Sequence, residues 1–70
     1  MKHYTKFSYG QLLKDEVIIC LDDVITISKR NQCVLITLKD NVVEMYDFPT
    51  TFEATIVFNK IWELLVKEWK

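Results

Sequence analysis

The spacing of hydrophobic residues along the chain changes at Pro49, the only proline. Before it, from residue 17 to residue 48, Val, Ile, Thr and Leu dominate between short polar clusters, which is typical of strands separated by turns. After it, apolar residues recur at intervals of three and four, which predicts a helix. The pattern therefore predicts an α+β fold in which a small antiparallel sheet comes first and one long helix packs across a face of it.

The sheet is predicted as a meander of three to five antiparallel strands within residues 4–48. The predicted strands cover residues 24–28, 33–38 and 42–48, with another at 17–20 and a weaker edge strand at 4–9. Residues 29–32 form a polar turn, which places Cys33 roughly opposite Ser28. Asp40 and Asn41 predict a two-residue type I′ loop, because both side chains tolerate positive φ.

The helix is predicted over about residues 51–69. Thr50 and Glu53 form a capping box, with Thr50 as the N-cap residue. The apolar residues of this segment spread over roughly half of the helix circumference, which is wider than the ~100° stripe that one sheet covers. We therefore expect something besides the sheet to cover part of the helix.

One edge of this apolar arc predicts an interface with a partner or a second copy. Its residues follow i, i+4, i+7, i+11 spacing, which a second helix could pack against. They are Phe58, Trp62, Leu65 and Trp69. Tryptophan is enriched at interface hot spots. The competing interpretation, in which the two tryptophans pack in the core against the sheet, stays open.

Length and composition predict a single domain spanning residues 1–70. A chain of 70 residues and 8.4 kDa collects only about 3–5 kcal/mol from one core, so oligomerisation is a natural source of further stability. Nine Lys and Arg against ten Asp and Glu give a net charge of -1, which creates no global attraction to nucleic acid or anionic lipid. The longest apolar run, residues 17–21, is far shorter than the roughly 20 residues of a membrane span.

Candidate catalytic and metal-binding residues are few. The single histidine, His3, lies near the chain start, and Cys20 and Cys33 are not in a Cys-x-x-Cys pair, so we expect buried structural thiols in a reducing cytoplasm and no metal site. Phosphate-binding loops need several glycines, and Gly10 is the only one. We expect no cofactor, no catalytic residue and no enzymatic activity.

Nucleic-acid binding is the alternative function. It would use the Lys29-Arg30 turn together with the N-terminal basic and aromatic residues, since such residues can bind single strands. These N-terminal residues are Lys2, Tyr4, Lys6, Phe7 and Tyr9. Arg30 is the only arginine and no helix is markedly basic, which weighs against this alternative.

The strands at residues 23–27 and 34–40, followed by a helix containing Trp62, resemble the last strands and C-terminal helix of bacterial pleckstrin-homology-like domains. The resemblance covers about half of the chain. A similar strand pattern occurs in the DNA-binding LytTR type, although the basic contact residues expected there are not evident. Any meander followed by a helix has this order, and 70 residues are too few for a complete seven-stranded domain, so no family is assigned.

These observations together predict a small, non-catalytic, cytoplasmic protein-interaction module. We expect it to self-associate, with a homodimer favoured, through the excess apolar face of its helix or a sheet edge. Regulation or inhibition of another protein, as small bacterial or phage proteins perform it, fits the same size and composition. No membrane partner is expected.

Overall fold

The strands and the helix occur in the order that the sequence predicts. The computed structural model describes residues 3–68 and shows an α+β fold with antiparallel strands and a C-terminal helix. The elements are β1 (Tyr4–Tyr9), β2 (Asp15–Cys20), β3 (Val24–Arg30), β4 (Cys33–Leu38), β5 (Val43–Asp47) and α1 (Thr51–Glu68). The predicted fold class is confirmed.

The strands form two antiparallel sheets: a β1-β2 hairpin, and a three-stranded sheet in the order β3-β4-β5. A 3₁₀ turn, Leu21–Asp23, separates them. Leu21 is buried in the core, and its backbone N–H donates to the carbonyl of His3 at 2.8 Å, so the turn is tied to the start of β1. This turn, anchored by Leu21, divides the predicted meander into two sheets.

The core lies between the three-stranded sheet, the helix and the β1-β2 hairpin. Its fully buried side chains come from β4, from the segment before the helix and from the inner face of α1; they are Val34, Ile36, Phe48, Ala54 and Ile61. Tyr46 on β5 makes edge-to-face contacts with Phe7 and Tyr9 on β1, with centroids 5.1 Å and 4.9 Å away. The contacts between these rings hold the β1-β2 hairpin against β5, an edge strand of the three-stranded sheet.

The loop between β3 and β4 is shorter than the sequence predicts. Arg30 lies opposite Cys33, so the loop has two residues, and Asn31 adopts a positive φ of 54°. The expected pairing of Cys33 with Ser28 is wrong, because the strand extends two residues further into the polar cluster.

The loop between β4 and β5 is also different from the predicted type I′ turn. The N–H of Leu38 donates to the carbonyl of Val42 at 2.9 Å, which leaves three residues between them. Of the two proposed loop residues, only Asn41 has a positive φ, of 65°. A three-residue hairpin loop needs one left-handed residue at its end, and Asn41 fills that position.

The predicted capping box begins the helix. The Oγ1 atom of Thr50 accepts a hydrogen bond from the N–H of Phe52 at 3.2 Å, and its hydroxyl donates to the carboxylate of Glu53. The hydrogen bond from the Thr50 side chain lowers the pKa of Glu53, although partial desolvation opposes the shift. This pair satisfies polar groups that the first helical turn leaves without partners.

We expect Glu53 to make the stability of the protein depend on pH. Because its pKa is lower in the folded state than the ordinary value of 4.5, its contribution is complete above that pH and is lost as the pH falls through the folded pKa. Urea unfolding at a series of pH values should show the wild type losing its advantage over Glu53→Gln in acid. Glu63→Gln, on the exposed face of the same helix, controls for removing one carboxylate; an advantage over Glu53→Gln that does not shrink in acid would contradict the prediction.

Candidate functional site

An open apolar groove lies between β3 and α1. Its volume is about 420 Å³. The strand side is formed by three consecutive residues of β3, Ile25, Thr26 and Ile27. The helix side is formed by residues of α1 spaced four and three apart, Phe58, Trp62 and Leu65. Thr26 supplies the only hydroxyl of this lining, and none of the six side chains is titratable. The groove therefore suits apolar contact.

A β-bulge shapes the strand side of the groove. Val24 pairs with Leu38 and Thr26 with Thr37, so Ile25 is an extra residue without an opposite partner on β4. Bulges bend a strand and redirect its side chains. Ile25 lines the groove and is 51% exposed.

The helix side contains three of the four residues predicted as an interface. Phe58 is partly buried, Trp62 is 49% exposed and Leu65 is only 5% exposed. Trp69, the fourth, lies outside the described residues. Among the three, Trp62 is the residue that both lines the groove and presents a large surface to solvent.

Two further apolar surfaces have no counterpart among the residues that the sequence singles out. Near the start of α1, Phe52 is 71% exposed, and Ile56 lines a smaller cleft with Leu13 of the β1-β2 turn. On the outer face of the larger sheet, Met45 is 62% exposed. The sequence has no periodic signal that identifies these residues. Isolated exposed apolar residues are common on protein surfaces.

The sequence pattern also does not identify the β3 side of the groove. Alternation of Ile25 and Ile27 with polar residues indicates an ordinary half-buried strand. Nothing in that pattern indicates a bulge, since the extra residue is recognised only from its pairing with β4.

The polar groups of His3, near the chain start, contact the 3₁₀ turn. The backbone N–H of His3 donates to Oδ2 of Asp22 at 2.8 Å, and its ring Nδ1 lies 3.6 Å from Oδ1 of the same carboxylate. The backbone hydrogen bond from His3 is the main reason that the pKa of Asp22 is lowered. Within residues 3–68, no three or more His, Cys, Asp or Glu side chains are grouped to hold a metal ion.

Both cysteines are free and half-buried rather than enclosed in the core, so the expectation of buried thiols is wrong. The Cys33 thiol donates to Oδ1 of Asp47 on the neighbouring strand at 2.8 Å. This hydrogen bond, with partial desolvation and the negative charge, raises the pKa of Cys33. A raised pKa disfavours the thiolate and so disfavours nucleophilic chemistry.

The described residues of the nucleic-acid alternative lie on two different sheets, and Lys2 lies outside the described residues. Lys29 and Arg30 end β3, whereas the N-terminal aromatics lie on β1. Phe7 is buried against Tyr46 and Tyr9 is partly buried beside it, which leaves Tyr4 as the exposed ring of the three. A base cannot stack on a ring that the core already covers.

Comparison with protein-family models, curated proteins and solved structures finds no significant match to this chain. Within the described residues, the structure contains no helix that is long and apolar enough to cross a bilayer.

Proposed function

We propose that this protein is a non-catalytic protein-interaction module that self-associates through the groove between β3 and α1. The observation that carries the proposal is the half-exposure of Ile25 and Trp62 on opposite sides of this apolar groove. Burial of such surface against a partner is favourable by roughly 25 cal/mol per Å² of apolar area removed from water. A tryptophan at the rim of a pocket is a typical anchor of an interface.

The chemistry of the groove supports binding over catalysis. Acid–base and nucleophilic reactions need side chains that donate, accept or hold protons near the substrate. The lining offers the hydroxyl of Thr26 and the indole N–H of Trp62 among otherwise apolar groups, and none of these titrates near neutral pH. We place the module in the cytoplasm, because its free thiols suit a reducing compartment.

The six residues that line the groove are too few for a stable interface, which uses roughly 20–30 residues on each side. Stable complexes bury about 800 Å² on each partner, which is on the order of a sixth of the 4949 Å² accessible surface of this chain. The interface must therefore extend from the groove onto neighbouring elements. The same surface would allow the module to regulate or inhibit another protein.

The solution mass tests self-association directly. We expect light scattering to show a dimer whose population rises with protein concentration and survives high salt, because an apolar interface holds or strengthens as salt rises. A monomer at every concentration would contradict the proposal. A dimer that dissociates in salt would show instead that charges dominate the interface.

A separate binding experiment tests the alternative function. Binding of a fluorescent single-stranded oligonucleotide, measured by anisotropy, would have to weaken steeply with salt if Lys29 and Arg30 contact phosphates. We expect no saturable binding at low salt. Saturable binding at low salt, together with a monomeric mass, would favour the nucleic-acid interpretation.

A further inference from the structure

The outer edge of β3 is open for strand pairing. β3 is the edge strand of the three-stranded sheet, and within residues 3–68 it pairs only with β4. Arg30 and Cys33 close the two-residue loop as a hydrogen-bonded pair. From there along β3, hydrogen-bonded and non-hydrogen-bonded pairs with β4 alternate. This alternation directs the backbone N–H and C=O groups of Lys29 and Ile27 outward, where they can pair with another strand.

The charges at the two ends of β3 are opposite. Asp22 and Asp23 lie immediately before the strand, and Lys29 and Arg30 are its last two residues. If two copies of β3 meet edge to edge in antiparallel orientation, the acidic end of each lies beside the basic end of the other. A parallel arrangement would bring like charges together, which is unfavourable for directly opposed strands.

The open edge and the groove adjoin each other. Residues 25–27 of β3 line the groove, and the same residues belong to the open edge. A strand added there would lie next to Trp62 and cover part of the groove. Edge and groove together form a larger surface than the groove alone, in the direction that a stable dimer requires.

We propose that the partner of this edge is β3 of a second copy, paired in antiparallel orientation so that the two three-stranded sheets become one six-stranded sheet. This proposal rests on the self-association proposed above and specifies its geometry. A two-fold axis through the paired edges gives a closed dimer, since each copy uses its single β3 edge. The opposite charges at the strand ends select the antiparallel direction and discourage pairing with a shifted or reversed edge.

Complementary charge variants test this geometry. The acidic variant, Lys29→Glu with Arg30→Glu, has negative charge at both ends of β3. The basic variant, Asp22→Asn with Asp23→Lys, has positive charge at both ends, and its Asn keeps an oxygen that can accept from the His3 N–H. We expect each variant alone to be monomeric at concentrations where the wild type is dimeric, and an equimolar mixture to form a heterodimer.

The matched control for the acidic variant changes the net charge by the same amount away from β3. Lys6 and Lys14 lie on the β1-β2 hairpin, so Lys6→Glu with Lys14→Glu should remain dimeric. Circular dichroism checks that each variant is folded. If a charge variant unfolds, hydrogen exchange of the wild type decides: the amides of Ile27 and Lys29 should be protected in the dimer and exchange rapidly when dilution produces monomer.

The outcomes separate the two proposals. A wild-type dimer together with dimeric acidic and basic variants, or with a mixture that stays monomeric, would overturn edge pairing and leave self-association standing. Rapid exchange of the Ile27 and Lys29 amides in the dimer would likewise overturn edge pairing and leave self-association standing. A monomeric wild type would overturn both proposals, and recruitment of β3 to a peptide from another protein would then be the next geometry to examine.

Discussion

Replacing Phe48 with alanine should leave the protein largely unfolded in the absence of denaturant. Phe48 is fully buried, and its ring lies 6.2 Å from that of Phe7, between the end of the larger sheet and the β1-β2 hairpin. Removal of a buried phenylalanine side chain costs about 3–5 kcal/mol. A single core in a chain of this size supplies roughly the same amount, so the substitution should remove most of the free energy of unfolding.

Circular dichroism and urea unfolding measure this effect, and Phe52→Ala is its matched control. Phe52 is the same residue type only four positions away, but 71% of it is exposed. We expect the control to change the free energy of unfolding by less than about 0.5 kcal/mol, as surface substitutions usually do. Equal losses in the free energy of unfolding for the two variants would contradict the role of Phe48 in the core.

Replacing Trp62 with alanine should weaken the dimer while leaving the monomer folded. An interface tryptophan that acts as a hot spot contributes at least about 2 kcal/mol, and the substitution removes it from both subunits, so the dissociation constant should rise by at least roughly 30-fold. Because 49% of Trp62 is exposed in the single chain, its removal should cost the monomer much less than removal of a core residue. Sedimentation or light scattering over a dilution series measures the dissociation constant.

Leu65→Ala provides the contrasting variant on the same side of the groove. Leu65 is only 5% exposed, so its truncation should lower the free energy of unfolding by about 2–5 kcal/mol. If Trp62→Ala instead behaves like Leu65→Ala, with lost stability and an unchanged dissociation constant for the folded fraction, the tryptophan is a core residue. The pair therefore distinguishes the two interpretations that the sequence left open.

The local elements could be predicted because their signals lie within a few residues. Thr50 and Glu53 are three apart, and the capping box that their spacing predicts begins α1. Strand β4 occupies the predicted residues because a continuous apolar run is bounded by polar clusters on both sides. Strand β1 also has the predicted bounds, residues 4–9.

The candidate site could be predicted only in part. The spacing of Phe58, Trp62 and Leu65 places them on one side of the helix, and the structure brings all three to one groove. Periodicity specifies the angle of a residue around the helix axis. It does not specify which residues pack against that side of the helix, so it could not show that Leu65 is covered while Trp62 is half-exposed.

The fold class, the order of the elements and the capped start of the helix follow from the sequence, because they depend on periodicity and on contacts between near neighbours. The division of the strands into two sheets at Leu21–Asp23, and the bulge that presents Ile25 beside the helix, become visible in the folded chain alone. Both features depend on pairing and burial between distant segments. The open β3 edge and its groove arise from these long-range contacts.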